Sequence, residues 1–425
     1  MLIVLLIILF LLFFIGVPVF VSLGLSSFIT FAIFNDQPMT ILAQRMFSGI
    51  DKFSLLAIPF FILAANVMKS GGIASRILKF ALTIVGRFKG GLAFSTQLAS
   101  MFFGAVSGSS PATVVAIGGL MYPELVEKKY SKKFSMGLIA SSRSVALLIP
   151  PSISAIVYGS ITGVSVGALF IAGLGAGLLY GLIYLVYIYF YCRKHDVPTA
   201  KPSTIKEILE TLKDASWALG VPIIIVGGIY GGVFTPTESS AVAAVYSIVI
   251  ALFVYKEMNW KDLYKALKDS VKSTSEVMIL LASASILGYI FTQAQVPQLL
   301  AQAIGTEITP FMFLLVVNII LLIAGMFIDG SSAIVILAPF FYPLAMTLGI
   351  DPIHLGVVMV ACAAIGMFTP PFGLNLFVAQ AELKMPLTNV MKSVIPWVAI
   401  SIVALVIITY IPEISMWMPN MVYDL

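Results

Sequence analysis

Apolar stretches of about 20 residues recur from one end of this chain to the other, and each is long enough to cross a bilayer of roughly 30 Å as a helix. The runs are continuous, whereas the strands of a membrane β-barrel alternate apolar and polar residues. Only 10% of the 425 residues are charged, against roughly 25% in an ordinary soluble domain. Because backbone groups inside a bilayer must find their hydrogen bonds within the protein, the sequence predicts an all-α polytopic membrane protein.

The first apolar run, from Leu2 to Ile15, has no basic residue before it and no small-residue cleavage site after it. We therefore interpret it as a retained membrane segment rather than as a cleaved signal. Whether residues 1–35 form one long span or two is left open by the sequence. Cys192 and Cys362 lie in different apolar segments, so no disulfide framework is predicted.

Three pairs of landmarks indicate an internal duplication. A Gly-Ser-Ser triplet occurs at 108–110 and 330–332, a Tyr-Pro pair at 122–123 and 342–343, and a Pro-Pro pair at 150–151 and 370–371. The landmarks keep their order and nearly one offset. The sequence therefore predicts two repeats, 1–200 and 201–425, each with a re-entrant helical hairpin and a broken transmembrane helix.

The offset also assigns the segments within each repeat. The first repeat is predicted to contain scaffold spans within 1–70, a hairpin at 89–127, a broken helix at 131–158 and a span at 165–192. The second is predicted to contain scaffold spans at 217–255, an amphipathic interfacial arm at 256–272, a hairpin at 309–348, a broken helix at 353–381 and a last span at 394–411.

Basic residues indicate how the repeats are oriented, because lysine and arginine prefer cytoplasmic loops. Most of the 24 basic residues fall in five clusters, within 69–89, 128–133, 193–213, 256–272 and 384–392. One membrane path places all five inside, provided that the first hairpin enters from the cytoplasm and the second from the opposite side. The repeats are then inverted, which is a common plan of secondary transporters. This sidedness explains the net charge of +5 without a nucleic-acid partner.

Both predicted hairpin tips, GAVSGSSPAT at 104–113 and GMFIDGSSA at 325–333, combine glycines with hydroxyl side chains. A backbone that stops being helical inside a membrane frees carbonyls, which are tolerated where they line a polar cavity. Carbonyls together with hydroxyls suit a hard cation such as Na⁺. Close helix packing through small residues is the alternative interpretation, but two symmetry-related copies favour the cation.

Each predicted broken helix carries a Pro-Pro pair, in RSVALLIPPS at 143–152 and in AIGMFTPPFGLN at 364–375. Proline removes N–H donors and breaks a helix, although a purely structural kink is the alternative. With each break beside one hairpin tip, we expect one Na⁺ site per repeat. The carbonyls freed at the breaks are those near Val145, Ala146, Leu148, Gly366, Met367 and Thr369.

Arg143 is the only basic residue inside a predicted span, since Arg45 and Lys52 face outward on the proposed path. An intramembrane charge usually lines a pathway or meets a partner, and a guanidinium suits a carboxylate. We expect Arg143 to bind an anionic substrate; the alternatives are an ion pair with Asp329 or Glu238, or a position one turn closer to the aqueous side. Thr113, Ser331 and Asn375 are further candidates for contacts with the substrate.

Two acidic residues remain ambiguous. Asp329, at the second tip, would ligate a cation, take a proton or cap the helix that follows it. Glu238, in Thr235-Pro236-Thr237-Glu238, resembles the first turn of a helix and is assigned a structural role.

Other functional classes fit less well. No G-x-x-x-x-G-K-[ST] phosphate loop is present. An intramembrane serine protease would need a Ser–His pair at depth, but His195 is predicted in a cytoplasmic loop and His354 near the outer edge of the membrane. A channel needs a continuous pore, whereas inverted hairpins with paired sites favour alternating access. The prediction is a transporter and not an enzyme.

At GAVSGSSPAT, LIPPS, GGVFTPTESSAV, GMFIDGSSA and GMFTPPFGLN the chain resembles the large membrane subunit of tripartite ATP-independent periplasmic (TRAP) transporters, and the sialic-acid branch looks closest. The resemblance implies an ion-transporter-superfamily fold, an elevator-type motion, Na⁺ coupling and a bacterial inner-membrane location. It also implies two partners, a small four-helix membrane subunit and a periplasmic binding protein that delivers the substrate. C4-dicarboxylates or another carboxylate remain alternative substrates, and a partner-independent Na⁺-coupled carrier remains an alternative mechanism.

The resemblance further implies the residues of two Na⁺ sites. The first would comprise Ser107, Ser110 and the break from Ala146 to Pro150, and the second Gly325, Asp329, Gly366, Met367 and Thr369. Arg143-Ser144-Val145 departs from the Gly- and Thr-rich stretch that the resemblance leads us to expect, which weakens a literal transfer of the first site.

Overall fold

The computed structural model describes residues 1–85, 89–107, 110–195, 197, 204–296 and 308–423. Every regular element in these ranges is helical, which confirms the all-α prediction. Seven of the described helices are long and apolar enough to cross a membrane, and an eighth span results if the bent pair Ile205–Ala215 and Gly220–Tyr230 counts as one. These spans agree with the polytopic prediction.

The first half of the chain contains ten helices in its described part. They are α1 Leu2–Phe14, α2 Val19–Phe34, α3 Thr40–Ile50, α4 Ala57–Ser70, α5 Ile73–Val85, α6 Gly91–Ser107, α7 Ser110–Glu127, α8 Lys132–Ser141, α9 Ile153–Thr162 and α10 Val166–Lys194. Short 3₁₀ turns at Phe53–Leu56 and Val145–Leu147 precede α4 and follow α8.

The second half is described by another ten. They are α11 Ile205–Ala215, α12 Gly220–Tyr230, α13 Pro236–Val254, α14 Trp260–Gln293, α15 Pro310–Phe327, α16 Gly330–Thr347, α17 Pro352–Gly366, α18 Leu374–Leu383, α19 Leu387–Tyr410 and α20 Glu413–Tyr423. Helices α12 and α13 each include a π-helical stretch, at Ile223–Gly227 and Ile250–Val254.

Residues 1–35 form two helices rather than one long span. Helix α1 ends before Gly16, whose φ of +83° belongs to the left-handed region that glycine adopts readily. Pro18 then precedes α2, at a position where its missing N–H removes no helical hydrogen bond. Both helices belong to a frame that α14 completes by packing on α2, α3 and α4.

Most of the predicted arm at 256–272 forms the first part of helix α14 rather than a separate helix. A capping box starts α14 at Asn259, whose Oδ1 accepts hydrogen bonds from the backbone N–H groups of Lys261 (2.8 Å) and Asp262 (3.1 Å). From there the helix runs without a break to Gln293. No proline interrupts this stretch, and helix formation is cooperative, so the amphipathic arm continues directly into the apolar span.

The two halves of the chain are interleaved rather than side by side. Helix α9 of the first half packs on α16 of the second, and α18 of the second half packs on α7 of the first. The two contacts are equivalent. In each, the helix that follows a Pro-Pro break contacts the second helix of the predicted hairpin in the other half. Helix α8 likewise packs on α19, and α10 on α17.

Both Pro-Pro pairs interrupt helices. Helix α8 ends at Ser141 and the chain becomes helical again at Ile153, whereas α17 ends at Gly366 and α18 begins at Leu374. Pro150-Pro151 and Pro370-Pro371 are cis peptide bonds. The two interruptions lie where proline removes the backbone donors that would continue each helix.

Candidate functional site

The two helix breaks meet inside the protein. Leu147 of the first break and Met367 of the second form a small buried cluster together with Ala364. Nearby, the hydroxyls of Ser154 and Ser331 lie 3.2 Å apart, within hydrogen-bonding distance. This contact joins the start of α9 to the start of α16, so the structure brings the first break beside the second hairpin.

A cavity of about 550 Å³ opens between this meeting point and the frame. Leu147, Ser154, Ser331 and Met367 line one side, and residues of α2, α4 and α14 line the other. The exposed Lys69 and Glu276 also line the cavity. Its size is that of a small-molecule site, and its mixed polar and apolar wall suits a small polar solute.

Three helices begin at the wall of this cavity. Ile153 and Ser154 are the first residues of α9, Gly330 to Ser332 are the first of α16, and Leu374 is the first of α18. A helix N-terminus leaves backbone N–H groups without helical partners and carries a partial positive charge. Such ends favour a negatively charged group; at α16 that group is the carboxylate of Asp329, whereas the starts of α9 and α18 carry no charged cap.

The residues predicted for the second Na⁺ site come together in the structure. Gly325 near the end of α15 crosses Gly366 at the end of α17 so closely that a Cβ added to Gly366 would lie 2.7 Å from the Gly325 Cα. A Cβ added to Gly330 would lie 3.5 Å from the sulfur of Met367. The second tip therefore packs against the second break.

Several oxygens of the second site already accept hydrogen bonds. The carbonyl of Met367 accepts one from the N–H of Asn375 (2.8 Å), and that of Gly366 accepts one from the N–H of Thr369 (3.0 Å). The Thr369 hydroxyl donates to the carbonyl of Ile365 at 2.7 Å. Since a carbonyl oxygen has two lone pairs, each of these carbonyls retains the capacity to contact a cation.

Asp329 caps helix α16, which is one of the three roles predicted for it. Its Oδ1 accepts hydrogen bonds from the N–H groups of Ser331 (3.0 Å) and Ser332 (3.1 Å), and its Oδ2 accepts one from the Ser332 hydroxyl. A carboxylate offers about four lone-pair sites, so capping leaves room for one further ligand. Its position in the cavity wall keeps the cation role open.

The first predicted Na⁺ site is described only in part. Gly108, Ser109 and the side chains of Ser107 and Ser110 lie outside the described part of the structure. Ala146 lies against α6, since a Cβ on Gly104 would be 2.3 Å from the Ala146 Cβ. The Val145 carbonyl accepts a hydrogen bond from the N–H of Leu148 (3.1 Å). The carbonyl of Leu148 lies against α10, 2.5 Å from a Cβ placed on Gly173, and Pro150 is buried.

Among the four predicted substrate contacts, Ser331 lines the cavity, whereas Arg143, Thr113 and Asn375 are buried and do not. Arg143 is only 1% exposed, and its three guanidinium nitrogens have no hydrogen-bond partner. No described carboxylate lies within 4.0 Å of it.

The alternative ion pair of Arg143 with Asp329 or Glu238 is therefore wrong for this structure. Glu238 instead accepts hydrogen bonds from the N–H and the hydroxyl of Thr235, both at 2.8 Å, as the predicted helix start requires. Arg143 lies beside the first break, just after the carbonyl end of α8, a position that favours a cation.

Residues 6–414 match the family described as the tripartite ATP-independent periplasmic transporter, DctM component. The chain belongs to the DctM family. It is 44% identical to the C4-dicarboxylate TRAP transporter large permease protein DctM of Vibrio cholerae, covering 96% of this chain and 95% of the relative. It is 47% identical to the protein of the same description from Pseudomonas aeruginosa, with 94% of each chain covered.

A sialic acid TRAP transporter large permease protein, SiaM of Vibrio cholerae, is 34% identical over 96% of both chains. Among solved structures, the YdaH transporter of Alcanivorax borkumensis has a TM-score of 0.58 at 16% identity, covering 91% of this chain and 90% of that one. This structural likeness concerns the fold alone. The match to permeases places this DctM-family chain among transport proteins.

Sequence reasoning missed several polar residues of the cavity. Ser154 lines it from α9, Asn66 from α4 and Ser273 from α14. Asn66 also donates a hydrogen bond to the hydroxyl of Ser270 (2.8 Å), which joins α4 to α14. The available signals were a serine three residues after a Pro-Pro pair and a lone asparagine in an apolar helix of this DctM-family chain.

Replacing Arg143 by methionine is expected to lower substrate uptake at least tenfold while the protein stays folded. An unpaired buried charge destabilises a protein, and an apolar residue of similar volume removes that cost, so the melting temperature should stay equal or rise. Uptake should fall because the variant loses a positive charge beside the first break. Uptake into proteoliposomes and thermal unfolding of the same preparation measure the two effects. Wild-type uptake in the variant would remove Arg143 from the transport mechanism.

Proposed function

We propose that this DctM-family subunit imports a small dicarboxylate of the C4 class together with Na⁺. The observation that carries the proposal is the convergence of three helix N-termini on a cavity of about 550 Å³. Backbone N–H groups at the starts of α9 and α18 and the hydroxyls of Ser154 and Ser331 would bind a carboxylate there.

The relatives support a dicarboxylate over the sialic acid favoured by sequence analysis. Two permeases described as C4-dicarboxylate proteins are 44% and 47% identical to this chain, whereas the sialic acid permease is 34% identical. Sialic acid is therefore the second candidate.

We assign Na⁺ as a co-transported substrate that binds where the second tip meets the second break. The Gly325–Gly366 crossing holds the Met367 carbonyl and the Asp329 carboxylate on neighbouring elements, and oxygen ligands of this kind suit a hard cation. A second Na⁺ beside the first break completes the scheme. Transport in this proposal follows an elevator motion of inverted repeats within the bacterial inner membrane, with a small membrane subunit and a periplasmic binding protein as partners.

The driving force follows from the ion count. If two Na⁺ enter with one dianion, no net charge crosses, and a roughly tenfold Na⁺ gradient supplies about 1.4 kcal/mol per ion. The total of about 2.8 kcal/mol corresponds to roughly 100-fold accumulation. The membrane potential then contributes nothing, whereas a monoanion with the same two ions would gain roughly 2.3 kcal/mol at 100 mV.

Uptake into proteoliposomes that hold the full chain with its small membrane subunit and binding protein tests the proposal. Succinate should be accumulated under an inward Na⁺ gradient, and dissipating the gradient should reduce accumulation to the equilibrium level. An imposed potential should change the level of accumulation little, because two Na⁺ and one dianion carry no net charge. Accumulation of sialic acid but not of succinate would overturn the substrate assignment, and succinate accumulation without Na⁺ would overturn the coupling. Omitting the binding protein distinguishes the tripartite system from a partner-independent carrier.

A further inference from the structure

A second cavity, of about 530 Å³, lies further along the same cleft. The first cavity uses residues 273–280 of α14 together with the starts of α9 and α16. The second uses residues 281–292 of α14, the end of α9 at Ser160 to Thr162, and the middle of α16. The two cavities therefore follow each other along the same three helices, with lining residues Leu280 and Leu281 adjacent in the chain.

Two cations face the second cavity, and neither has a carboxylate partner. Arg45 and Lys52 both line it, and no aspartate or glutamate does so. The ion pairs of the described part of the chain all involve other lysines and arginines. The wall also carries the hydroxyls of Ser48, Thr162 and Ser285, so it offers positive charge and hydrogen-bond donors together.

Both cations are held in place by neighbours that do not neutralise them. The Arg45 guanidinium lies over the ring of Tyr289, 4.6 Å from its centroid. The Tyr289 hydroxyl donates a hydrogen bond to Oε1 of Gln37 (3.1 Å) and accepts one from Nε2 of Gln293 (2.6 Å), which fixes the ring. The Lys52 ammonium donates a hydrogen bond to the carbonyl of Ser160. Two positive charges are thus preorganised across the mouth of one cavity.

Burial lowers the pKa of Lys52, as expected for an ammonium that loses water and gains no opposite charge. A bound anion would reverse this shift, because an adjacent negative charge favours the protonated amine. The electrostatics of the cavity therefore suit an anionic ligand and oppose a cation such as Na⁺.

We propose that the second cavity, which we call the Arg45–Lys52 vestibule, is a separate binding site for a small carboxylate and loads the transport cavity. The inference rests on the proposed function, because it assumes that a carboxylate is the solute that moves along the cleft. It adds an intermediate site on frame residues, with the hydroxyls of the vestibule completing the solvation of the carboxylate. The shared α14, α9 and α16 walls place the vestibule next to the transport cavity, so that a solute could pass between them when the carrier changes conformation.

Initial uptake rates of succinate in proteoliposomes test the role of the two cations. Arg45→Gln and Lys52→Gln should each raise the KM for succinate about tenfold or more and leave the rate at saturation within about twofold. Arg45→Lys should restore much of the wild-type KM, which a purely structural role of the guanidinium stacking would not allow. Lys265→Gln is the matched control, because Lys265 is an exposed cation at the polar start of α14 and lines neither cavity. An unchanged KM in both glutamine variants would overturn the vestibule.

A readout that does not need transport separates this inference from the proposed function. The native cysteines, Cys192 and Cys362, are buried, so Ser48→Cys supplies an accessible thiol in the vestibule. Succinate should slow its labelling by a membrane-impermeant maleimide at least fivefold, and Arg45→Gln should abolish that protection. Protection without succinate uptake would retain the vestibule and refute the proposed function. Labelling that succinate does not slow would refute the vestibule, whether or not succinate is transported.

Discussion

Replacing Gly366 by alanine is expected to lower Na⁺-driven uptake by roughly 100-fold. The added Cβ would lie 2.7 Å from the Gly325 Cα, 2.9 Å from the Gly325 carbonyl carbon and 3.0 Å from the Leu322 carbonyl oxygen. All three are backbone atoms, so no side-chain rotation relieves the contact, and α15 must move away from α17. Overpacking of this kind typically costs about 1–3 kcal/mol. It would also separate the Asp329 tip from Met367, which is why uptake should fall by roughly 100-fold, as other small misplacements of reacting groups do.

Uptake and thermal unfolding of the purified protein measure this effect, with Gly227→Ala as the control. Gly227 lies in a helix too, but the nearest atom to its added Cβ is the Ile223 Cγ2 at an ordinary 3.8 Å. The control should keep wild-type uptake and a wild-type melting temperature. Wild-type uptake in Gly366→Ala would show that the close approach of α15 and α17 is not needed for transport.

Replacing Asp329 by asparagine is expected to weaken Na⁺ binding at least tenfold while helix α16 stays capped. Asparagine caps helices about as well as aspartate, so the hydrogen bonds from Ser331 and Ser332 to the side-chain oxygen remain available. The negative charge is lost, and interactions with a charged group contribute about 1.5–3 kcal/mol, equivalent to roughly 10–100-fold in affinity. The concentration of Na⁺ that gives half-maximal uptake measures the change.

Asp329→Ala separates capping from cation binding. Alanine removes the cap as well as the charge, and loss of a cap costs about 1 kcal/mol of stability. The alanine variant should therefore show a lower melting temperature in addition to weaker Na⁺ dependence, whereas the asparagine variant should show only the second effect. A wild-type Na⁺ dependence in Asp329→Asn would leave capping as the only role of this side chain.

Local chemistry made part of this architecture predictable. A Pro-Pro pair removes two helical N–H donors, so an interruption around each pair could be predicted from the sequence, and the second helix ends four residues before Pro370. The end of α8 at Ser141, nine residues before Pro150, was not predictable in this way. The Thr235–Glu238 capping box depends only on residues three apart. Apolar length alone predicted a helical membrane protein, and the family match agrees with it.

Contacts between distant elements could not be predicted in the same way. The Ser154–Ser331 contact joins residues 177 positions apart, and the contribution of Asn66 and Ser273 to the cavity depends on how the frame packs. Arg143 is an example. As a basic residue inside a predicted span it was a clear candidate, but the sequence did not indicate that its side chain lies outside the cavity. The continuous α14 was missed for a related reason, since a change from polar to apolar composition does not by itself end a helix.

The interleaving of the two halves sets an order of events during synthesis. Ser154 leaves the ribosome 177 residues before Ser331, the residue against which it finally rests, and α7 likewise precedes its partner α18. Until those partners are inserted, the surfaces of α7 and α9 must be shielded by lipid, by the insertion machinery or by a chaperone. A chain that ends before α16 would leave these surfaces without the helices that cover them in the folded protein, so neither half can complete its own packing.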